Sequence, residues 1–392
     1  MTMICPNFNQ AGLKSFSPWV FVTYNCSCRC PYCMIPEMKC NRKTMSSEIF
    51  RRMLEITEKL FSNGTYNHAH FRLSGGEPFL AFKNYKDIVT EYRKKYGNQM
   101  EFGVLTNLVK FDDEMADWME LNNIGMQVSL DDLANGKPLA NGQSSSERVL
   151  ENIQKAQSRN IRFSFNTVLD VEKTKDLTGL ANFVSSLKDV EWGLNASYTE
   201  NNQSKVNEAI GIFDDCIGQL VKHGFDIYRQ LRFYNTVVGT GRGGCTAGVN
   251  SFAIGTNLEI WPCQSLCDQE PIGFFDENIK ETLMTSAGNE YFRNRRMMPE
   301  CSDCPVLGLC RGGCRATHES DEINDTVCQI RRNIIGKLAG GYYANNRQNR
   351  HSGNCSHSSD HHDEGVGKIL DDYAQKLSDA KEGTLVDTPF LD

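Results

Sequence analysis

Trp19-Val20-Phe21-Val22-Thr23-Tyr24-Asn25-Cys26-Ser27-Cys28-Arg29-Cys30-Pro31-Tyr32-Cys33 decides how the rest of the chain is read. The first six residues are apolar, aromatic or β-branched and read as a buried strand. That strand runs straight into four cysteines. Taken as C-x3-C-x2-C, the loop selects Cys26, Cys30 and Cys33 and leaves Cys28 over. Three thiolates on one short loop can hold three corners of a cubane iron–sulfur cluster and leave the fourth iron open. A second group, Cys301, Cys304, Cys310 and Cys314 with Cys328 following, offers enough thiolates to close a cluster completely.

Outward from the first loop, five more strand-like runs occur, at 68–74, 102–107, 125–131, 161–169 and 190–197. Stretches with helical periodicity lie between them, among them 46–60, 146–158 and 206–221. Strands alternating with helices mean parallel βα units. The expected class is therefore α/β, a partial (β/α)6 TIM-like barrel. Function in such barrels gathers in the loops after the strand C-termini. The cysteine loop, the turn Gly75-Gly76-Glu77-Pro78, Asn107 and the pair Ser129 and Asp131 all fall there.

The organisation expected is an N-terminal extension over 1–15, the barrel over 16–231, a cysteine-rich domain over 232–340 and a polar tail over 341–392. Residues 251–263 read as a hairpin turning near 255–257. The cysteine-rich region has little aliphatic core, so bound metal is expected to hold it together. The tail carries four of the chain's eight histidines and helical periodicity over 367–380. It reads as a solvated, flexible segment more than as a metal-binding tract.

The 392 residues suffice for two or three domains with sizeable cores, and 40% hydrophobic with 23% charged residues is ordinary for a soluble protein. A net charge of −7 argues against a nucleic-acid partner. No apolar run approaches the roughly 20 residues of a membrane span, and no charged-then-apolar export signal opens the chain. A cytoplasmic location follows as the expectation. Cysteines there serve more often as metal ligands than as disulfides.

The cysteine loop and the Gly75-Gly76-Glu77 turn at consecutive strand ends resemble the radical S-adenosylmethionine (radical SAM) superfamily, with Tyr32 as the aromatic before the last cysteine. The resemblance implies that Cys26, Cys30 and Cys33 hold a [4Fe-4S] cluster whose open iron chelates S-adenosylmethionine. It further implies that Gly75, Gly76 and Pro78 shape the cofactor turn, with the glycines admitting the cofactor closely. Glu77 would receive the cofactor ammonium, and Tyr32 would offer backbone contacts to adenine. Asn107, Ser129, Asp131 and Asn166 would line the rest of the pocket. Relatives with the C-terminal domain often carry an Arg about eleven residues past Ser129 for the cofactor carboxylate. The stretch DDLANGKPLANGQ (131–143) has none; Lys137 and Arg148 are the nearby cations, neither in register.

The downstream cysteines resemble the SPASM auxiliary-cluster domain, whose core is C-x2-C-x5-C-x3-C followed by a lone cysteine. By that resemblance Cys301, Cys304, Cys310 and Cys328 hold one auxiliary [4Fe-4S] cluster. Cys245, Cys263 and Cys314 hold another, with Cys267 as its fourth ligand or an open iron in its place. Three clusters are thus expected. A zinc ribbon is the competing reading of the C-x2-C pairs. Leu258 stands where the family usually has glycine. Cys5, Cys28, Cys40, Cys216 and Cys355 match no ligand position.

The domain pair implies an enzyme acting on a peptide through a 5′-deoxyadenosyl radical, with an external one-electron reductant. The reading favoured is a maturase of ribosomally made precursor peptides (RiPP maturation) that forms an intrapeptide cross-link, carbon–carbon (cyclophane) ahead of thioether. Formylglycine formation in sulfatases is the alternative. Those maturases carry Asp directly after the hairpin cysteine, where this chain has Gln264. A non-catalytic electron-transfer protein is a further alternative. Only about 25 residues precede Cys26, so leader recognition is expected to need another surface, a separate leader-binding protein or the C-terminal tail. Asp131, Asp132 and Glu259 are the acid–base candidates.

Overall fold

The computed structural model describes residues 14–33, 35, 43–134, 136–169, 177–187, 190–196, 203–223, 231–233, 246–285, 328–329 and 332–333. In chain order the elements are β1 (Ser15–Phe16), β2 (Trp19–Thr23), α1 (Ser47–Ser62), β3 (His68–Gly75), α2 (Phe82–Tyr96), β4 (Met100–Thr106), α3 (Asp113–Asn122), β5 (Gly125–Ser129), α4 (Ser146–Ser158) and β6 (Phe163–Leu169). Then come α5 (Leu177–Ser186), β7 (Glu191–Ala196), α6 (Gln203–Lys222), β8 (Leu231–Phe233), β9 (Ala253–Ile254), β10 (Glu259–Trp261), β11 (Gly273–Phe274) and α7 (Ile279–Thr285). The α/β class and the parallel strands agree with expectation.

Local chemistry explains where these helices start. The Ser46 side chain accepts from the Ile49 N–H at 3.2 Å and caps α1. The helix then buries Phe50, Met53, Leu54, Ile56, Thr57 and Leu60 on one face. Asp112 caps α3 in the same way, accepting from the Met115 N–H at 3.0 Å. Asn123 ends that helix in the left-handed region at φ 52°.

Two compact units divide the chain. The first comprises residues 1–169 and 245–296. Its strands run in the order β11-β10-β9-β2-β3-β4-β5-β6, with β1 also paired to β3. From β2 to β6 each neighbour is parallel, so the loops after these strands emerge at one end. The hairpin read over 251–263 is paired into this sheet. β9 lies parallel to β2, with Trp19 opposite Ala253 and Val20 opposite Ile254. The turn after β9 therefore sits at the same end as the cysteine loop.

Aromatic packing cements that join. Phe16, 1% exposed, has its ring centroid 4.8 Å from Tyr66, 5.9 Å from Phe71, 6.0 Å from Phe252 and 6.1 Å from Phe275. Each such buried ring contributes on the order of 1.5–3 kcal/mol through area alone.

The second unit comprises residues 170–244 and 297–392. Within it β7 and β8 are parallel, Trp192 opposite Leu231, and α5 packs on α6. Leu180, Ala181, Val184, Trp192, Phe213, Cys216 and Leu220 are buried there. The extension before residue 14, most of the expected second cysteine group and the whole tail with its 367–380 periodicity lie outside the described residues. Among the described residues no helix is long and apolar enough to cross a membrane.

Candidate functional site

The glycine turn after β3 lies against the entry to the cysteine loop. Gly75 has φ +135°, and a Cβ there would come within 2.0 Å of the Thr23 carbonyl oxygen. A Cβ on Gly76 would come within 2.2 Å of the Asn25 carbonyl oxygen. The Gly76 N–H donates to Thr23 O at 2.7 Å, and the Glu77 N–H to Asn25 O at 2.8 Å. Both glycines are thus demanded by the chain's own backbone, and the close approach expected toward a cofactor is first an approach to residues 23–25. Pro78 opens a 3-10 turn, Pro78–Ala81, whose cap is Glu77.

Glu77, expected to receive a ligand ammonium, has no exposed surface. Its Oε1 accepts from the Phe79 N–H at 3.2 Å and the Thr106 hydroxyl at 2.8 Å, and its Oε2 from the Asn107 N–H at 2.8 Å. As the chain stands, the carboxylate ties the end of β3 to the end of β4. Reaching a ligand would require it to leave these donors. Burial pushes its acid up to about 8, against the downward pull of those hydrogen bonds.

Asn107, 7% exposed, is turned to the cysteine loop. Its Oδ1 accepts from the Val109 N–H at 3.0 Å, and its Nδ2 donates to the Cys26 sulfur at 3.5 Å. Cys26 and Cys30 are half-buried, Cys33 is exposed, Cys28 is buried, and none is disulfide-bonded. A hydrogen bond from the Cys28 side chain is the main influence that brings Cys26 down to about 6; burial opposes it, while the Cys28 N–H, Asn107 and Arg29 assist. Cys28, left over by the spacing, is therefore a hydrogen-bonding support for Cys26. Its own thiol is held well above the ordinary value by that bond and by burial.

One part of the site left no motif. Residues 136–145 fold back as a strap on the cysteine loop. Pro138 bridges Ser144, Leu139 bridges Cys28, the Arg29 N–H donates to Pro138 O at 2.8 Å and the Ala140 N–H to Ser27 O at 3.0 Å. Gly136, at φ +58°, starts the strap where a Cβ would lie 2.7 Å from the Ser146 nitrogen. The strap carries Lys137 inward to 7% exposure. The Lys137 ammonium donates to the Asp131 carboxylate and, at 2.6 Å, to the Tyr32 hydroxyl, which itself donates to Asp131. The other Asp131 oxygen accepts from the Val168 N–H at 2.9 Å. Burial pushes the Cys30 thiol up, the Lys137 ammonium pulls it back, and the Asp131 carboxylate pushes it up again.

The remaining expected residues are placed as follows. Ser129 and Asn166 face each other in the β5–β6 register, beside Asp131. Asp132 is buried and accepts from the Ala134 N–H at 2.7 Å, which closes its own turn. Glu259 accepts from the Asn257 N–H at 2.9 Å and its Nδ2 at 3.0 Å, so its carboxylate holds the β9–β10 turn. Leu258 takes φ +67° in that turn, the left-handed region that glycine would occupy without strain.

Cys263 and Cys267 flank the 3-10 turn Gln264–Leu266, both buried and free of disulfides. Cys267 packs with Phe21, Tyr24, Ala253 and Trp261. Cys328 is half-buried. Cys245, Cys301, Cys304, Cys310 and Cys314 lie outside the described residues.

Among the described residues no three His, Cys, Asp or Glu side chains are gathered into a single-ion site. The first loop nevertheless offers the donor set a cubane needs. It has three unbridged thiols, one with a lowered acid constant, and N–H groups directed at its sulfur.

Comparison with known proteins accords with this geometry. Residues 20–184 match the family described as the radical SAM superfamily. A cysteine-type anaerobic sulfatase-maturating enzyme of Clostridium perfringens strain 13 is 23% identical over 336 residues, covering 76% of this chain and 88% of that enzyme. Among solved structures, native anSMEcpe with bound AdoMet superposes with a TM-score of 0.68 at 18% identity over 85% of this chain and 99% of that one. Streptococcus suis SuiB bound to precursor peptide SuiA gives 0.59 at 15% identity over 80% of this chain and 76% of that one.

Proposed function

We propose that the chain, whose residues 20–184 match the radical SAM superfamily, is a radical SAM enzyme that matures a ribosomally made precursor peptide by forming an intrapeptide cross-link. Carbon–carbon (cyclophane) linkage is favoured over a thioether. The supporting observation is the C-x3-C-x2-C loop at the end of β2, clamped by the Gly75-Gly76-Glu77 turn and the 136–145 strap. A peptide substrate is supported by the fold-related SuiB, described with precursor peptide SuiA, and anSMEcpe, described with Cp18Cys peptide.

In this reading Cys26, Cys30 and Cys33 hold the S-adenosylmethionine cluster. Cys245, Cys263, Cys267 and Cys314 hold one auxiliary cluster, and Cys301, Cys304, Cys310 and Cys328 another. When bound, the first cluster and S-adenosylmethionine supply a carbon radical that removes a hydrogen atom from the substrate. The chain's own residues do the positioning. Gly75 and Gly76 keep the turn tight on residues 23–25, and Glu77 and Asn107 fix that turn to the Cys26 sulfur. Ser129 at the end of β5, Asp131 just beyond it and Asn166, opposite Ser129 within β6, offer polar groups on adjacent strands. A new bond between two residues removes two hydrogens, one as an atom taken by the carbon radical and one as a proton with an electron, which the auxiliary clusters, when bound, would accept. Asp131, Asp132 and Glu259 remain the proposed proton acceptors. A one-electron reductant, a separate leader-binding protein and a cytoplasmic setting belong to the same proposal.

Formylglycine formation is the second reading, supported by the likeness to the curated Clostridium perfringens enzyme. Against it stands Gln264, an amide that cannot serve as a carboxylate base in the position after Cys263. Co-expression with short peptides encoded beside the gene, followed by mass spectrometry, separates the two. Loss of the mass of two hydrogens, with fragments missing between two linked residues, supports cross-linking. Conversion of a sulfatase Cys to formylglycine, with no peptide change, overturns it.

A further inference from the structure

Lys137 has no role in the reading above, yet it is among the least exposed polar residues of the site. Its side chain is 9% exposed and that of Asp131 11%. The ammonium lies 2.6 Å from the Tyr32 hydroxyl and 5.1 Å from the centre of the Tyr32 ring, and Tyr32 stands between Cys30 and Cys33. The strap that carries Lys137 is itself laddered onto residues 27–29 through the Leu139–Cys28 bridge and the hydrogen bonds from Arg29 and Ala140. Buried charges are retained only with a compensating partner. Here the compensation is Asp131, which also accepts from Tyr32 and Val168. A cation and an anion are thus both buried beside the cysteine loop, joined to it through Tyr32.

We propose that Lys137 and Asp131 form an electrostatic positioning pair that sets the reduction potential of the cluster held by Cys26, Cys30 and Cys33. This rests on the reading that those three cysteines hold that cluster. Adding an electron makes a cluster more negative. A buried ammonium nearby stabilises the reduced form, and a buried carboxylate destabilises it. Side chains in direct hydrogen-bond contact, in a site of low exposure, feel little screening. The pair also fixes Tyr32, so the loop presents its cysteines in one arrangement.

The test uses the full chain, reconstituted anaerobically with iron and sulfide. The iron–sulfur signal that changes on addition of S-adenosylmethionine identifies the first cluster. Its midpoint potential is then titrated without the cofactor in wild type, Lys137→Met, Lys137→Arg and Asp131→Asn. The expected result is a lower potential in Lys137→Met, a higher one in Asp131→Asn and a value near wild type in Lys137→Arg. Shifts of the same sign in Lys137→Met and Asp131→Asn, or no shift in either, overturn the proposal and indicate a packing role alone. If Lys137→Met loads no cluster, the opposition between Lys137→Arg and Asp131→Asn still decides: a rise in Asp131→Asn supports the pair, and none overturns it. A wild-type protein without a responsive iron–sulfur signal would instead remove the cluster assignment itself.

Discussion

At the scale of the residue, the site is built by contacts between main chains. The resemblance casts Gly76 as room for a ligand, but its missing side chain first makes room for the Asn25 carbonyl. Gly76→Ala would place a methyl 2.2 Å from that oxygen, so the turn must move. Overpacking of this kind costs about 1–3 kcal/mol or more. A fall of that size in unfolding free energy, together with loss of iron binding, is expected. Denaturant titration unchanged from wild type would show that the turn is looser than described. Glu77 makes a second prediction. The folded protein holds its carboxyl protonated toward a value of about 8, against an ordinary 4.5. The unfolded chain therefore binds fewer protons between those values, and stability must fall as pH rises across that window. Glu77→Gln removes that slope. Thermal unfolding of the metal-free protein from pH 5 to 8 checks it: wild type loses ground to the variant as pH rises, and parallel curves would count against it.

At the scale of the element, the central strands β2 to β6 and the helices α1 and α4 of the first unit were legible because they are long and periodic. The 146–158 periodicity became α4 with the same bounds, and the 68–74 run became β3. The strap was not legible. Its pairing joins residues 27–29 to 138–140 across more than a hundred residues of chain, and its bridges are too short to carry an alternating pattern. The hairpin was legible as a hairpin, but its place in the sheet was not. β9 has only two residues, and its partner β2 is chosen by tertiary packing. That packing is testable at Phe252, fully buried and 6.0 Å from both Phe16 and Phe275. Phe252→Ala should cost about 3–5 kcal/mol and lower the unfolding temperature of the unit as a whole. A separate early transition for the hairpin, with the barrel transition unmoved, would contradict a shared core.

At the scale of the whole molecule, the first cysteine loop and the glycine turn spoke through motif spacing, and the parallel sheet brings them together at one end. The inward orientation of Glu77 and the placement of Lys137 depend on which side chains meet after folding, which spacing does not encode. The reading proposed for the first loop is that Cys26, Cys30 and Cys33 leave one iron open to S-adenosylmethionine, with Cys28 as support and not ligand. The direct measurement is 5′-deoxyadenosine formed by anaerobically reconstituted protein given S-adenosylmethionine and dithionite, in wild type, Cys28→Ala and Cys30→Ala. Wild type and Cys28→Ala should produce it and Cys30→Ala should not; equal loss in both variants, or none from the wild type, would contradict the account.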